Sequence, residues 1–513
     1  MDIFYFTHFY TAAHEQKIEE LKEQCLKIGR NPLFITKNQN ICGYVHPKDV
    51  LFAQEPQKPV FHIMKECPVV ELGTIQDEST IRLITENEKI VAWTLKKSEL
   101  PTYTVHPIES HQIHRFGSFT PWISKIAKSA QKTGCNVYMV GGVVRDFITL
   151  RPIHDIDFLV QGEVFPLVES LQKQFGGTLH KETLFEAAHW SAPDGNVFDF
   201  TVARSEWYPS PATLPITQKG TILDDILRRD FSINSMLISI QESGLGYIID
   251  ATNGMQDIQK KSLRILHKQS FRDDPTRIFR AARYAGRYQL TRSPNTQKAM
   301  EECLTHQFFN ELPYEQIGKE IQKIFKEDDP NAAWTLLQEW NVIKHLFPNE
   351  EISLQKSLQA WNDINKKEIC PQANRSLVLW ITIITGVSCS SKYSALTNVI
   401  KGGGKLWSTI VPKLTKVMTQ LPKAKNHGEI GAILHKLTPE SLIYLYISNP
   451  DSVTWWLRTG QKQKSVVDGA WLIKEGCPKG PLFGDALRKA QHAAWMGYAH
   501  EEQRKIAKNV WTQ

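Results

Sequence analysis

Runs of apolar residues and their spacing divide this chain into regions of different period. Val137 to Val140 is a short apolar run that predicts a β-strand closed by Gly141-Gly142. Asp155-Ile156-Asp157-Phe158-Leu159-Val160 predicts a second strand, and the two-residue repeat of a strand throws the carboxylates of Asp155 and Asp157 onto one face. Val197 to Val202 alternates apolar with polar and so places Asp199 on one face of a neighbouring strand. Residues 273 to 285 read as a helix on which Asp274 and Arg277, three apart, lie side by side. Ala203 to Pro209 and the Pro-rich stretch that follows to Gly220 predict a loop, long enough to imply a function. Beyond about residue 300 the period turns helical, with Glu315 to Phe325 and Ala332 to Phe347 as the clearest cases. Leu377 to Val387 is apolar but too short to cross a bilayer, and predicts a buried helix.

The first hundred residues carry a repeat. Ile35-Thr36-Lys37-Asn38-Gln39-Asn40-Ile41 recurs as Ile84-Thr85-Glu86-Asn87-Glu88-Lys89-Ile90 at an offset of 49, and the match extends through Lys48/Lys97 and Leu51/Leu100. Repetition at this length predicts two copies of one supersecondary unit, each with a strand, an Asn-containing turn, a second strand and a charged helix start.

At 513 residues the chain is long enough for three or more domains. A net charge of +7 and a pI near 8.8 fit a polyanionic partner. The eight cysteines are scattered and none forms Cys-x-x-Cys, which favours a reduced, cytoplasmic setting over a disulfide framework or a zinc site. No basic region followed by an apolar one opens the chain, so neither a signal peptide nor a membrane partner is expected.

Chemistry concentrates in three clusters. In the first, Gly141 and Gly142 allow bare backbone to approach a polyphosphate, Arg145 adds a positive charge, and Asp155 with Asp157 offers the hard oxygens that suit Mg²⁺. Asp199 is the candidate third carboxylate; a strand-end Asp facing water fits the pattern equally well. The second cluster, residues 224 to 235, joins Arg228 and Arg229 to Asp230 and Phe231. In the third, Asp274 accepts hydrogen bonds and Arg277 donates them. Cytosine and adenine each present a donating exocyclic amine beside an accepting ring nitrogen, whereas uracil and guanine reverse that order, so one such pair can take C and A without a template. A surface salt bridge is the plain alternative.

Together these clusters resemble the tRNA nucleotidyltransferase and bacterial poly(A) polymerase family, the class II branch of the polymerase-β-like nucleotidyltransferases, from about Asn136 to about Pro348. The family's motifs stand as Gly141-Gly142-Val143-Val144-Arg145-Asp146 with Asp155 and Asp157, as Arg228 through Ser235, and as Asp273-Asp274-Pro275-Thr276-Arg277. Asp273 replaces the usual Glu, and Ser232 and Ser235 replace Thr and Ala. The resemblance implies attack of an RNA 3′-hydroxyl on the α-phosphate of CTP or ATP, with Asp155 and Asp157 catalytic and holding Mg²⁺, beside Asp199 as the candidate third catalytic acid. It assigns ribose and phosphate contacts to Arg229 and Asp230 and base reading to Asp274 and Arg277. Arg280 and Arg283 continue the spacing of three toward nucleotide or RNA phosphate, with a solvated basic face as the alternative. Arg204 and Glu206 match the loop that in this family accompanies addition of the terminal A.

The implied fold is α+β: a polymerase-β-like head at 113–255, a base-recognising helical neck at 256–350, and a helical body and tail at 351–513 that bind tRNA. Residues 1–112 look like a pair of CBS (cystathionine-β-synthase-type) modules. Such pairs hold an adenine nucleotide, but the Ser/Thr-x-x-Asp pattern survives only as His46-Pro47-Lys48-Asp49, so a structural or homodimerising role stands beside it. In the tail, Lys413, Lys416, Lys423 and Lys425 follow Gly402-Gly403-Gly404 as candidates for RNA backbone, and Lys479 to Gly484 resembles the end of long bacterial CCA-adding enzymes. The expected activity is CCA addition to tRNA. An A-adding enzyme, a poly(A) polymerase and an inert adenylate-binding regulator remain as rivals.

Overall fold

The computed structural model describes residues 10–512 except 22–23, 25–31, 46–49, 51–56, 68, 72–80, 87–88, 96–103, 184–185, 221, 242–243, 307, 349, 366–367, 388–394 and 401–405. Contacts divide the chain into two compact units, Met1–Arg277 with Gln289–Glu311, and Ile278–Tyr288 with Leu312–Gln513.

The amino-terminal repeat is a repeat of topology. Strands β1 (Tyr10–Ala13), β2 (Leu33–Lys37) and β3 (Asn40–Val45) form one sheet, and β4 (Val69–Glu71), β5 (Ile81–Glu86) and β6 (Lys89–Leu95) form another. In each sheet the first strand runs parallel to the second, and the second and third form a hairpin. The hairpins share an irregularity: the register shifts between Ile35 and Thr36 in one and between Ile84 and Thr85 in the other, again 49 apart. A bulge at the same place in both copies marks a built feature. Asn38 and Gln39 turn the first hairpin with φ of 51° and 68°, the left-handed pair that a two-residue hairpin loop requires. His46 to Asp49, and the Lys97 and Leu100 ends of the repeat, lie outside the described residues.

The head is built on β7 (Thr104–Pro107), helix α1 (Thr120–Lys132), β8 (Asn136–Val140), α2 (Gly142–Ile148), β9 (Ile156–Gln161), α3 (Val164–Phe175), β10 (Thr178–Glu182), β11 (Ala187–Ser191) and β12 (Val197–Val202). It continues through hairpin β13 (Arg204–Trp207) and β14 (Ile216–Lys219), helix α4 (Ile222–Leu227), and β15 (Met236–Gln241) and β16 (Gly244–Asp250). Among the described residues eight strands join in the order β10-β11-β12-β9-β8-β15-β16-β7. Only the β12–β9 neighbours run parallel. Alternation assigns the two faces. Ile156, Phe158, Val160, Phe198, Phe200, Ala188 and Trp190 pack with Ile123 and Ile126 of α1 and Leu167 and Leu171 of α3. Leu159, Val140 and Leu237 turn to the opposite face, over Ile226 of α4. That second face carries Asp157 and Asp199.

Two expectations are corrected here. The strand β7 pairs with β16, so residues 104–107 belong to the head sheet and the head begins before residue 113. The partner strand is some 140 residues away in sequence, which local pattern does not reveal. The stretch from Ala203 to Gly220 is no bare loop, because Arg204↔Lys219 and Trp207↔Ile216 pair as a hairpin.

Helix α2 ends unusually. The Arg151 N–H donates to the Asp146 carbonyl at 2.9 Å and the Leu150 N–H to the Phe147 carbonyl at 3.4 Å, the paired bonds of a Schellman cap. Leu150 holds the left-handed position, φ 59°, where glycine is preferred, and it is 77% exposed. Leu150→Gly is expected to stabilise the head by about 0.5 kcal/mol: relief of roughly 1–2 kcal/mol of left-handed strain is set against roughly 0.5–1 kcal/mol of glycine backbone entropy. A thermal melt several degrees lower than wild type would contradict this reading.

The second unit is helical. Tyr314–Phe325 forms as the spacing predicts, capped by Pro313. The predicted helix at 332–347 is two helices, Pro330–Glu339 and Val342–Leu346, broken at Asn341, whose φ is 60°. Arg375–Gly386 is buried through Val378, Leu379, Trp380, Ile381, Ile383 and Ile384, as its apolar run requires. No helix among the described residues is long and apolar enough to cross a membrane. Lys416, Lys423 and Lys425 are exposed, whereas Lys413 is half-buried and donates to the Lys436 carbonyl.

Candidate active site of the head

Asp157 and Asp199 are cross-strand partners on the parallel pair β9–β12, and Asp155 immediately precedes β9. The three acids come together. Burial first, then the charges of Asp155 and Asp199, push the Asp157 carboxyl up to about 6, while Arg229 and His189 pull it back. A carboxylate held unfavourably by its like neighbours is what a divalent cation relieves. Among the described residues no group of three or more His, Cys, Asp or Glu side chains is arranged to hold a metal ion by itself.

At the end of β8, Gly141 has φ 81°, a conformation suited to glycine. Its missing Cβ would sit 3.4 Å from Arg229 Nη1, so the turn lets that guanidinium close in. Arg229 Nε and Nη2 donate to Asp225 Oδ2 at 3.1 and 2.8 Å. The other oxygen, Asp225 Oδ1, accepts from Arg228 Nε at 2.8 Å. Asp225 is 0% exposed. Burial raises its carboxyl, but Arg229 and Arg228 outweigh burial and hold it below the usual carboxylate range. No feature of the local sequence singled out Asp225 except its position three and four residues before the arginines.

Arg145 is placed differently from the expectation of a phosphate ligand. It is 4% exposed, donates from Nη1 to Asn234 Oδ1 at 2.6 Å, and grips Asp146 through Nε and Nη2 at 3.2 and 3.1 Å. Asn234 Nδ2 donates in turn to Asp230 Oδ1 at 3.0 Å, and the Phe231 N–H donates to the same oxygen at 2.8 Å. Arg145 and Asp230 therefore tie α2 to the segment that carries Arg229. Gly142 opens α2, where a Cβ would meet Arg145 Nη2 at 3.6 Å.

Asp274 and Arg277 meet, but not along one helix. Helix α5 (Gly254–Gln259) precedes α6 (Ser270–Asp273), which ends before Asp274, and α7 (Arg277–Tyr288) begins at the arginine. Asp274 has φ −139° and ψ 91°, because Pro275 disfavours helical geometry in the residue before it. The Thr276 N–H donates to Asp274 Oδ1 at 3.0 Å, and Arg277 Nε lies 3.7 Å from Asp274 Oδ2. Arg277 is 5% exposed: Nη1 donates to Ser270 Oγ at 2.7 Å and Nη2 to the Arg228 carbonyl at 3.0 Å. Through that carbonyl the Asp274–Arg277 turn abuts the residue next to Arg229. Tyr208, from the hairpin loop, reaches Arg277 Nη2 at 3.5 Å, and burial pushes its hydroxyl up to about 12. Glu206 joins Arg204 at 3.0 Å and Arg228 at 2.7 Å.

Arg280 and Arg283 have partners in their own unit. Arg280 lies 5.5 Å from the Tyr284 ring, and Arg283 Nε is bonded to Glu327 Oε1 at 2.9 Å. The spacing of three on α7 therefore presents Arg283 to an acid of its own unit.

Residues 137–264 match the family described as the poly A polymerase head domain. The head belongs to that family. Nucleotidyltransferases with this head use a divalent metal, consistent with the carboxylate set above. The A-adding tRNA nucleotidyltransferase of Aquifex aeolicus is 27% identical over 363 residues, which make up 69% of this chain and 44% of that protein. The CC-adding tRNA nucleotidyltransferase of Deinococcus radiodurans is 31% identical over 219 residues, 43% of this chain and 57% of that one. The chain thus spans about half the length of these curated relatives. The Thermotoga maritima CCA-adding enzyme complexed with tRNA matches with a TM-score of 0.65 at 20% identity, covering 80% of this chain and 98% of that one, which establishes a common fold.

Proposed function

We propose that this protein adds CMP and AMP to the 3′ end of tRNA, without a nucleic-acid template, from CTP and ATP. The observation that carries the reading is the juxtaposition of an acid pair on β9–β12 with Arg229 and Gly141, themselves joined to the Asp274–Arg277 turn. The 3′-hydroxyl oxygen of the RNA forms a bond to the α-phosphorus, the bond to pyrophosphate breaks, and the hydroxyl proton leaves to solvent. Asp155 and Asp157 would hold Mg²⁺, which would supply the positive charge that activates the hydroxyl and offsets charge on the departing pyrophosphate. Arg229 meets the phosphates, for which its forked guanidinium is suited. Asp274 accepts from the exocyclic amine of C or A and Arg277 donates to the adjacent ring nitrogen. In the amino-terminal region, a CBS-like pair holding an adenine nucleotide or joining a homodimer belongs to the same reading, as does a cytoplasmic setting.

A second reading, addition of A alone to tRNA already ending in CC, is favoured by the name of the Aquifex aeolicus relative. Purified protein incubated with tRNA ending at the discriminator base, or in CC, with CTP, ATP or both, separates the two. Incorporation only onto the CC-ended tRNA would leave the A-adding reading; long A tails on unrelated RNA would replace both with a polymerase. In the same assay Arg277→Ala is expected to raise UTP and GTP incorporation relative to CTP and ATP by roughly 10- to 100-fold. Unchanged selectivity in a variant that melts like wild type would remove Arg277 from base reading.

A further inference from the structure

A row of ionisable side chains crosses four adjacent strands on the open face of the head. Asp157 on β9 is registered with Asp199 on β12, Asp199 with His189 on β11, and His189 with His180 on β10. At strand spacings of about 4.8 Å the row is roughly 14 Å long. His189 Nδ1 lies 2.5 Å from Asp199 Oδ1, and the His180 and His189 rings stack with centroids 6.3 Å apart and an interplanar angle of 21°. Both imidazoles are exposed, while the neighbours of His189 along β11, Ala188 and Trp190, are in the core below. Nothing in the fold requires two histidines there. Both stand on strands with their rings stacked on each other.

In-line displacement puts the attacking oxygen and the leaving group on opposite sides of the phosphorus. Gly141 and Arg229 lie on the β8 side of Asp157, which sets the triphosphate and its departing pyrophosphate on that side. The acceptor strand must then come in over β12, β11 and β10. It is a polyanion approaching a cluster of carboxylates, and the imidazoles are the first donors it meets along the row. We propose that His180 and His189 seat the last phosphodiester of the acceptor RNA, with His189 also orienting Asp199. This rests on the nucleotidyl-transfer reading above. The flanking residues on β10 that share the His180 face, Thr178 and Glu182, leave His180 as the donor nearest the row, and Lys181 on the other face is committed to Glu169.

The test is the binding and extension of an acceptor minihelix that ends one nucleotide short, with and without a neutral methylphosphonate at its last linkage. For the wild type the neutral linkage should weaken binding by about fivefold or more. In His180→Ala combined with His189→Asn, which keeps a donor toward Asp199, native RNA should bind about fivefold more weakly and the neutral linkage should cost nothing further. The KM for CTP and ATP should move less than twofold, and His180→Lys should recover RNA affinity. Equal losses from the neutral linkage in wild type and double variant, or a change confined to nucleotide KM, would overturn the proposal. A wild type that binds the minihelix with this pattern yet transfers no nucleotide would instead defeat the functional reading and leave the RNA seat standing.

Discussion

Asp157→Asn is expected to lower nucleotide incorporation by about 1,000-fold or more and, in metal-free protein, to raise the melting temperature. The activity loss corresponds to about 4 kcal/mol of transition-state stabilisation, the scale expected when one of two metal-holding acids is neutralised. The stability gain follows from the position of the carboxyl. Burial, Asp155 and Asp199 hold it up to about 6, above its ordinary value, so its charged form is disfavoured by folding. A carboxyl raised on folding favours the native state only while protonated, so stability declines through this group as pH rises from about 4 to above 6. Two pH units at full strength would be about 3 kcal/mol, but Asp157 stands on an exposed face of the sheet with its carboxyl only partly withdrawn from water, and screening leaves about 1 kcal/mol, or about 2 °C in melting temperature. Melts of wild type and variant at pH 4.5 and 7.5 in chelator, then with Mg²⁺ restored, check both parts. Wild-type turnover in the variant would end the metal assignment; a variant that melts lower at pH 7.5 would show that the acids are not in conflict. Asp155→Ala should match it in activity.

Asp225→Ala is expected to destabilise the head by about 3–5 kcal/mol, because it strands Arg228 and Arg229 with a buried charge unmatched. Arg228 keeps Glu206 at 2.7 Å, so Arg229 carries most of the loss. Without Asp225 nothing aims Arg229 at Gly141, and the KM for nucleotide should rise as well. Denaturant unfolding monitored by tryptophan fluorescence reads the first effect and initial rates read the second. A loss under 1 kcal/mol would mean that the arginines are held by something else. The Asp225 carboxyl lies below its usual range, so its contribution is complete at neutral pH and is lost only as pH falls through that lowered value. The difference between wild type and Asp225→Ala should therefore be constant from pH 6 to 8 and shrink only in strong acid.

Much of the site was legible because its parts are local. Two acids at a strand period share a face in any sheet, and a Gly-Gly after a strand opens a turn whatever follows. The duplicated strand-turn-strand units at an offset of 49 were equally plain, whereas their matching register shifts emerge only from the pairing. The helix assumed for Asp274 and Arg277 was misread although Pro275 signalled the break, since a proline bars helical geometry from the residue before it. Arg145 and Arg283 were expected at phosphates because arginine suits phosphate; the fold also pairs each with a carboxylate, Asp146 or Glu327, and the second of these lies 44 residues away where no local spacing rule reaches.

The sequence alone determined which chemistry is present: paired acids, a doubled arginine, an Asp-Arg pair and a basic helical tail, since residue type and short spacing decide what a side chain can bind. Only the tertiary structure decided which of these groups are spent on the protein itself. It placed Asp225 between two guanidiniums and brought His180 and His189 into line with Asp199 and Asp157. It also joined residues 104–107 to the edge of the head sheet. Pairings across strands and between distant segments depend on register and burial, which are set by the packing of the whole sheet and not by any window of the chain.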